Sequence, residues 1–210
     1  LFIVGFTSTS VKILLIRELL NISGGYELIA GIFLSSWLMS SALGAHFAGR
    51  SEMNDIRVIN IIFSVTPLIS LLLMILLSRL FLETGETPSL LTSIIFTILI
   101  LIPFCIASGF TFIKLLSAAR AINSLNPGKS FSIETTGGIL AGLLLSVLTS
   151  GLINTYKLLL LIVLLTFSFV ILNFYAREGN VKFYFKSLVI VVACIIIFSD
   201  RVYFSYTVKC

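Results

Sequence analysis

The stretch LTSIIFTILILIPFCIASGFTFI, residues 91–113, decides the fold class, because it holds no Asp, Glu, Lys or Arg anywhere along its length. A helix rising about 1.5 Å per residue crosses the ~30 Å hydrocarbon core of a bilayer in about 20 residues. Its apolar side chains do not alternate with polar ones, so the run reads as a helix and not as a barrel strand. Working outward, the same criterion marks segments 1–22, 27–48, 58–81, 131–155 and 157–176, with a shorter seventh at 184–199. The breaks carry turn chemistry or charge: Ser23-Gly24-Gly25, Gly49-Arg50-Ser51-Glu52, Glu83-Thr84-Gly85-Glu86-Thr87-Pro88, Asn126-Pro127-Gly128-Lys129 and Arg177-Glu178-Gly179-Asn180.

Composition agrees with that reading. Of 210 residues, 58% are hydrophobic and 11% charged, with a mean hydropathy of +1.15, whereas globular domains carry about 25% charged residues. A nucleic-acid-binding module, a disordered tail and a disulfide scaffold are thereby excluded. The expected architecture is an all-α polytopic transmembrane helix bundle of about seven helices over residues 1–200, with the lipid bilayer as its first partner. Within residues 201–210, Val202-Tyr203-Phe204-Ser205-Tyr206-Thr207-Val208 is aromatic and β-branched, which predicts a strand. A lone strand is not stable in water, so this tail reads as the β-like start of a missing soluble domain. The first residue is Leu rather than Met, which predicts residues upstream. Lys12, Arg17 and Glu18 interrupt the first apolar run, and no small-x-small pattern follows, so a signal peptide is not expected.

Basic residues set the expected orientation. One group of loops holds Arg50, Arg57, Lys114, Arg120, Lys129, Arg177, Lys182 and Lys186; the opposite group holds Lys157, Arg79 at a helix end, and the acidic Glu83 and Glu86. By the positive-inside rule the first group is cytoplasmic, so the N-terminus starts on the cytoplasmic side; the expected setting is a bacterial-type inner membrane. Cys105 and Cys194 lie in apolar runs and Cys210 is the last residue, with no C-x-x-C spacing. A buried free cysteine behaves as a small hydrophobe. His46 stands alone near the end of the second segment. No metal site and no cofactor follow from these residues.

Ionisable groups inside a bilayer cost at least about 2.5–3.5 kcal/mol each and need an explanation. Lys12, Arg17, Glu18, Glu27 and Glu134 are such groups, and they form a candidate polar binding pocket between helices. The structural alternative is an Arg17–Glu27 ion pair locking the first two helices together. Small residues form a second pattern. Gly137, Gly138, Ala141 and Gly142 follow Glu134, with Gly138 and Gly142 in a G-x-x-x-G step, and Ser40, Gly44 and Ala48 make a similar stripe on the second segment. Such stripes let helix backbones approach closely. Pro103 is expected to kink the fourth helix.

The stretch Ile13-Leu14-Leu15-Ile16-Arg17-Glu18-Leu19-Leu20, then Gly25-Tyr26-Glu27-Leu28, Trp37-Leu38 and Ala42-Leu43-Gly44, resembles the membrane region of spermidine synthase-like transmembrane proteins. Phe131-Ser132-Ile133-Glu134-Thr135-Thr136-Gly137, followed by Ala141-Gly142, is similar to their aromatic-x-x-Glu-x-x-Gly helix. The resemblance runs from about residue 5 to 150. It departs at Tyr26, Phe131 and Ala141, where Asn, Tyr and Gly are usual. In that family a multi-helix domain, itself resembling half of a major-facilitator-type transporter, precedes a polyamine aminopropyltransferase-like domain. No G-x-G-x-x-G and no βαβ pattern occur here, so this chain alone lacks any aminopropyltransferase catalytic motif. The resemblance implies a membrane domain that anchors or serves a polyamine-synthase-like module and binds a cationic small molecule, a polyamine. The alternative is a non-catalytic structural subunit of a larger membrane complex. Both readings expect other membrane subunits or a homo-oligomer, and neither expects nucleic acid.

Overall fold

A computed structural model describes residues 1–53, 55–81, 89–123, 126–149 and 155–178. Among these, all regular structure is helical: α1 (Phe2–Ile22), α2 (Glu27–Arg50), α3 (Ile56–Phe81), α4 (Leu90–Asn123), α5 (Pro127–Thr149) and α6 (Thr155–Glu178). Glu27–Arg50, Ile56–Ser78, Leu90–Ala121 and Pro127–Thr149 are long and apolar enough to cross a membrane, which makes the chain a multi-pass membrane protein. The expected seventh segment, 184–199, and the strand at 202–208 lie outside the described residues.

Local chemistry explains where the helices begin and end. After α1, the Ser23 N–H donates to the Leu19 carbonyl and the Gly25 N–H to the Leu20 carbonyl. Gly24 and Gly25 have φ of 73° and 81°, the left-handed region that a Cβ disfavours. α4 runs ten residues past its expected end at 113, because Lys114 and Arg120 are good helix formers and leaving the apolar run does not stop a helix. α5 starts at Pro127 instead of 131 and is described to Thr149; residues 150–154 of the expected segment lie outside the described residues, and Thr155 belongs to α6. Proline suits the first helical position, where its missing N–H is not needed. Pro67, inside α3, leaves the Phe63 carbonyl without its helical donor; the Thr66 hydroxyl donates to that oxygen at 3.1 Å.

α1 is the hub of the bundle. It packs chiefly along α5 and also touches α2, α4 and α6, while α2 packs along α4, and α3 meets α4 and α6. Val11, Leu14 and Leu15 of α1 are fully buried with Leu101 and Phe104 of α4 and Val163 of α6. This position resolves the puzzle of the charges on α1. Its neighbours stand between it and lipid, so a polar group there does not face hydrocarbon alone.

Glycine sets both main crossings. A Cβ on Gly5 of α1 would strike the Glu134 carbonyl of α5, and one on Gly137 would strike the Phe2 carbonyl in return. In the other pair, a Cβ on Gly44 of α2 would strike the Ile106 carbonyl of α4, and one on Gly109 the Ser41 carbonyl. The shift that takes Phe2 to Ile106 also takes Gly5 to Gly109; the shift that takes Ser41 to Glu134 also takes Gly44 to Gly137. The α1·α5 crossing and the α4·α2 crossing therefore correspond residue for residue. Within each pair the helices are parallel: Gly5, Thr9 and Ile13 meet Glu134, Gly138 and Gly142 in ascending order, and Gly44 and Ser51 meet Ile106 and Lys114 likewise. α1 and α2, joined by the short turn at Ser23–Tyr26, run in opposite directions. The units α1–α3 and α4–α6 are thus related by an inversion of direction, and the pairing of α3 with α4 is matched by that of α6 with α1.

Candidate functional site

The polar residues of the bundle fall into two groups. At the helix ends, cations donate to backbone carbonyls of a neighbouring helix. The Arg17 guanidinium of α1 donates to the Thr149 carbonyl, the last of α5, at 2.9 Å. The Lys114 ammonium of α4 donates to the Ser51 carbonyl, the C-cap of α2, at 2.7 Å. Each cation sits where the helix dipole favours positive charge. Arg17 therefore reaches α5, and it is not the Glu27 partner that the structural alternative expected. Glu27 is exposed in the first turn of α2, where a carboxylate suits the helix N-terminus. Glu18 is half-buried near the end of α1.

The second group lies within the bundle. Lys12, half-buried on α1, places its ammonium 4.1 Å from the centroid of the Trp37 ring on α2. A cation over an indole face is worth about 2 kcal/mol when water is excluded. The Glu134 carboxylate of α5 and the Cys105 thiol of α4 lie within electrostatic range of that ammonium. Four helices thus converge on one cation. Gly5 positions the acid, because its missing Cβ lets the Glu134 backbone press against α1. Lys12 follows Gly5 by about two helical turns, and side chains lean toward the helix N-terminus, so its ammonium reaches back toward the level of the crossing. Just beside it, Ser8 of α1 and Ser108 of α4 share a 2.9 Å hydrogen bond in a buried setting. Cys105 is a free, buried thiol.

Of the five residues expected in one pocket, the fold leaves Lys12 and Glu134 within electrostatic range of each other, with no hydrogen bond or ion pair between them, and Arg17, Glu18 and Glu27 toward helix ends. Among the expected packing residues, Gly44 and Gly137 make backbone contacts. Gly138 meets the Thr9 side chain, its hydroxyl 2.7 Å from an ideal Cβ, with the Gly5 carbonyl farther off at 3.9 Å, and Gly142 meets the Ile13 methyl at 4.0 Å. The close approach therefore belongs to Gly137 more than to the Gly138–Gly142 step. Ser40 and Ala48 are buried with Gly44 on α2. Gly5 and Gly109, the partners in the two crossings, lack a G-x-x-x-G repeat and leave no such trace in sequence. Trp37 was visible as the chain's single tryptophan. His46 is exposed, with its ring 6.2 Å from that of Phe47. Among the described residues no group of three His, Cys, Asp or Glu side chains could hold a metal ion.

Comparison with protein-family models, with curated proteins and with solved structures finds no match.

Proposed function

We propose that the chain is the membrane domain of a spermidine synthase-like protein, anchoring or serving a polyamine-synthase-like module and binding a small organic cation, a polyamine, beside Trp37 and Glu134. The observation that carries the reading is the Lys12 ammonium on the Trp37 face with the Glu134 carboxylate nearby. An aromatic face and a carboxylate, in an interior that admits little water, favour an ammonium over an anion or a neutral molecule. Support also comes from the inverted relation of α1–α3 to α4–α6, an arrangement that many transporters build around a midplane site. The proposed setting is a bacterial inner membrane with α1 starting from the cytoplasmic side, from the distribution of basic residues.

The test is equilibrium binding of radiolabelled spermidine to the purified chain in lipid nanodiscs. Glu134→Gln is expected to weaken binding by about tenfold or more, the scale of one buried charge pair. Glu27→Gln, exposed at a helix end, is expected to leave it unchanged. A wild-type chain that binds no spermidine overturns the reading.

A further inference from the structure

Lys12 occupies the aromatic surface that a ligand ammonium would need. Its ammonium lies 4.1 Å from the Trp37 centroid, while the helix ends are served by other cations, Arg17 and Lys114. Among the described residues Lys12 makes no direct ion pair with Glu134, and its ammonium lies against the Trp37 ring. A flexible four-carbon stem on one helix can leave a ring on another without unfolding either. We infer that Lys12 is a tethered competitor: it fills the Trp37–Glu134 site in the empty protein, and an organic cation binds by displacing its ammonium from the indole face. The inference rests on the cation-binding reading above and adds to it a built-in occupant that keeps the site charge-balanced when no ligand is bound. It also gives the site a chemical class, a monoalkylammonium or a larger amine that presents one such head, because that is the group Lys12 itself supplies.

The sole tryptophan makes the exchange observable. The full chain in nanodiscs is titrated with spermidine and with methylammonium, following both binding and Trp37 fluorescence. Lys12→Met removes the occupant and keeps the length of the side chain. It is expected to tighten binding by about tenfold, within the range of one cation–π contact, and to enlarge the fluorescence change, since the ring goes from bare to occupied. Lys12→Arg keeps a cation at the ring and is expected to bind like the wild type. Acylation of the Lys12 amine in the wild-type chain, read by mass spectrometry, needs no variant; ligand is expected to speed it by freeing the ammonium. If the wild type binds and Lys12→Met binds equally or more weakly, or if ligand leaves Lys12 acylation unchanged or slows it, the competitor is overturned while cation binding stands. If the wild type binds no spermidine, the cation-binding reading itself falls, and the competitor with it.

Discussion

The α1·α5 pair and the α2·α4 pair share one scaffold and differ in chemistry. Each has two glycines whose absent Cβ atoms make room for the partner's carbonyls, and in each a cation from one helix satisfies the C-terminal carbonyls of the other. The correspondence that matches Gly5 with Gly109 and Gly44 with Gly137 also matches Lys12 with Leu116, Glu134 with Ser41, and Trp37 with Ser130. The first pair therefore carries an ammonium and a carboxylate where the second carries an apolar side chain and a hydroxyl. Ser41 Oγ and Ser130 Oγ are buried without a hydrogen-bond partner among the described residues. Close backbone packing and an end-capping cation are common to both pairs, whereas the ammonium on the indole face, with a carboxylate on the partner helix, belongs to the α1·α5 pair. The difference teaches that Lys12 and Glu134 are not needed to make such a crossing, since its counterpart forms without them.

The largest expected effect tests the scaffold. Gly5→Ala and Gly109→Ala each drive a methyl into a backbone carbonyl, and each should cost about 1–3 kcal/mol of bundle stability. Thermal unfolding in detergent should show matched losses, and a large loss at one with none at the other would break the equivalence of the two crossings. Next come the end-capping cations. Arg17→Met and Lys114→Met should each destabilise by about 1–2 kcal/mol, with the loss at Lys114 the larger because it is the more buried (8% exposed). The smallest effects sharpen the comparison. Gly138→Ala should cost under about 1 kcal/mol, since a threonine side chain can turn aside, and Gly142→Ala should be nearly neutral. Ser41→Ala should leave stability unchanged or raise it slightly, because it removes an unpartnered hydroxyl.

Much of the fold is legible in the sequence, and the reason is length. Runs such as 91–113 are too long and too apolar for anything but a helix in lipid, and the turns at Ser23-Gly24-Gly25 and Asn126-Pro127 announce themselves by residue type. Helix ends were less legible where no breaker stands. α4 continues through Lys114 because a cation next to a partner's carbonyl is welcome inside the bundle, and only the neighbouring helix supplies that carbonyl. The site was half legible. Lys12 and Glu134 stood out because charge inside a membrane segment is costly wherever it lies. Arg17 stood out for the same reason, yet its partner is a backbone oxygen, and a carbonyl leaves no mark in a sequence.

What this sequence determined by itself was the class of the molecule and the short list of residues that the membrane would not tolerate unassisted; both follow from the transfer cost of side chains, a property of each residue type alone. What the tertiary structure decided was association: that α1 lies among α2, α4, α5 and α6, that Gly5 and Gly109 open the two crossings, and that Lys12 rests on Trp37 with Glu134 at hand. Those facts depend on which helix faces which, and apolar surfaces that match lipid on every side do not choose their neighbours by hydrophobicity. Shape and a few polar contacts choose them, and these exist only once the helices are together.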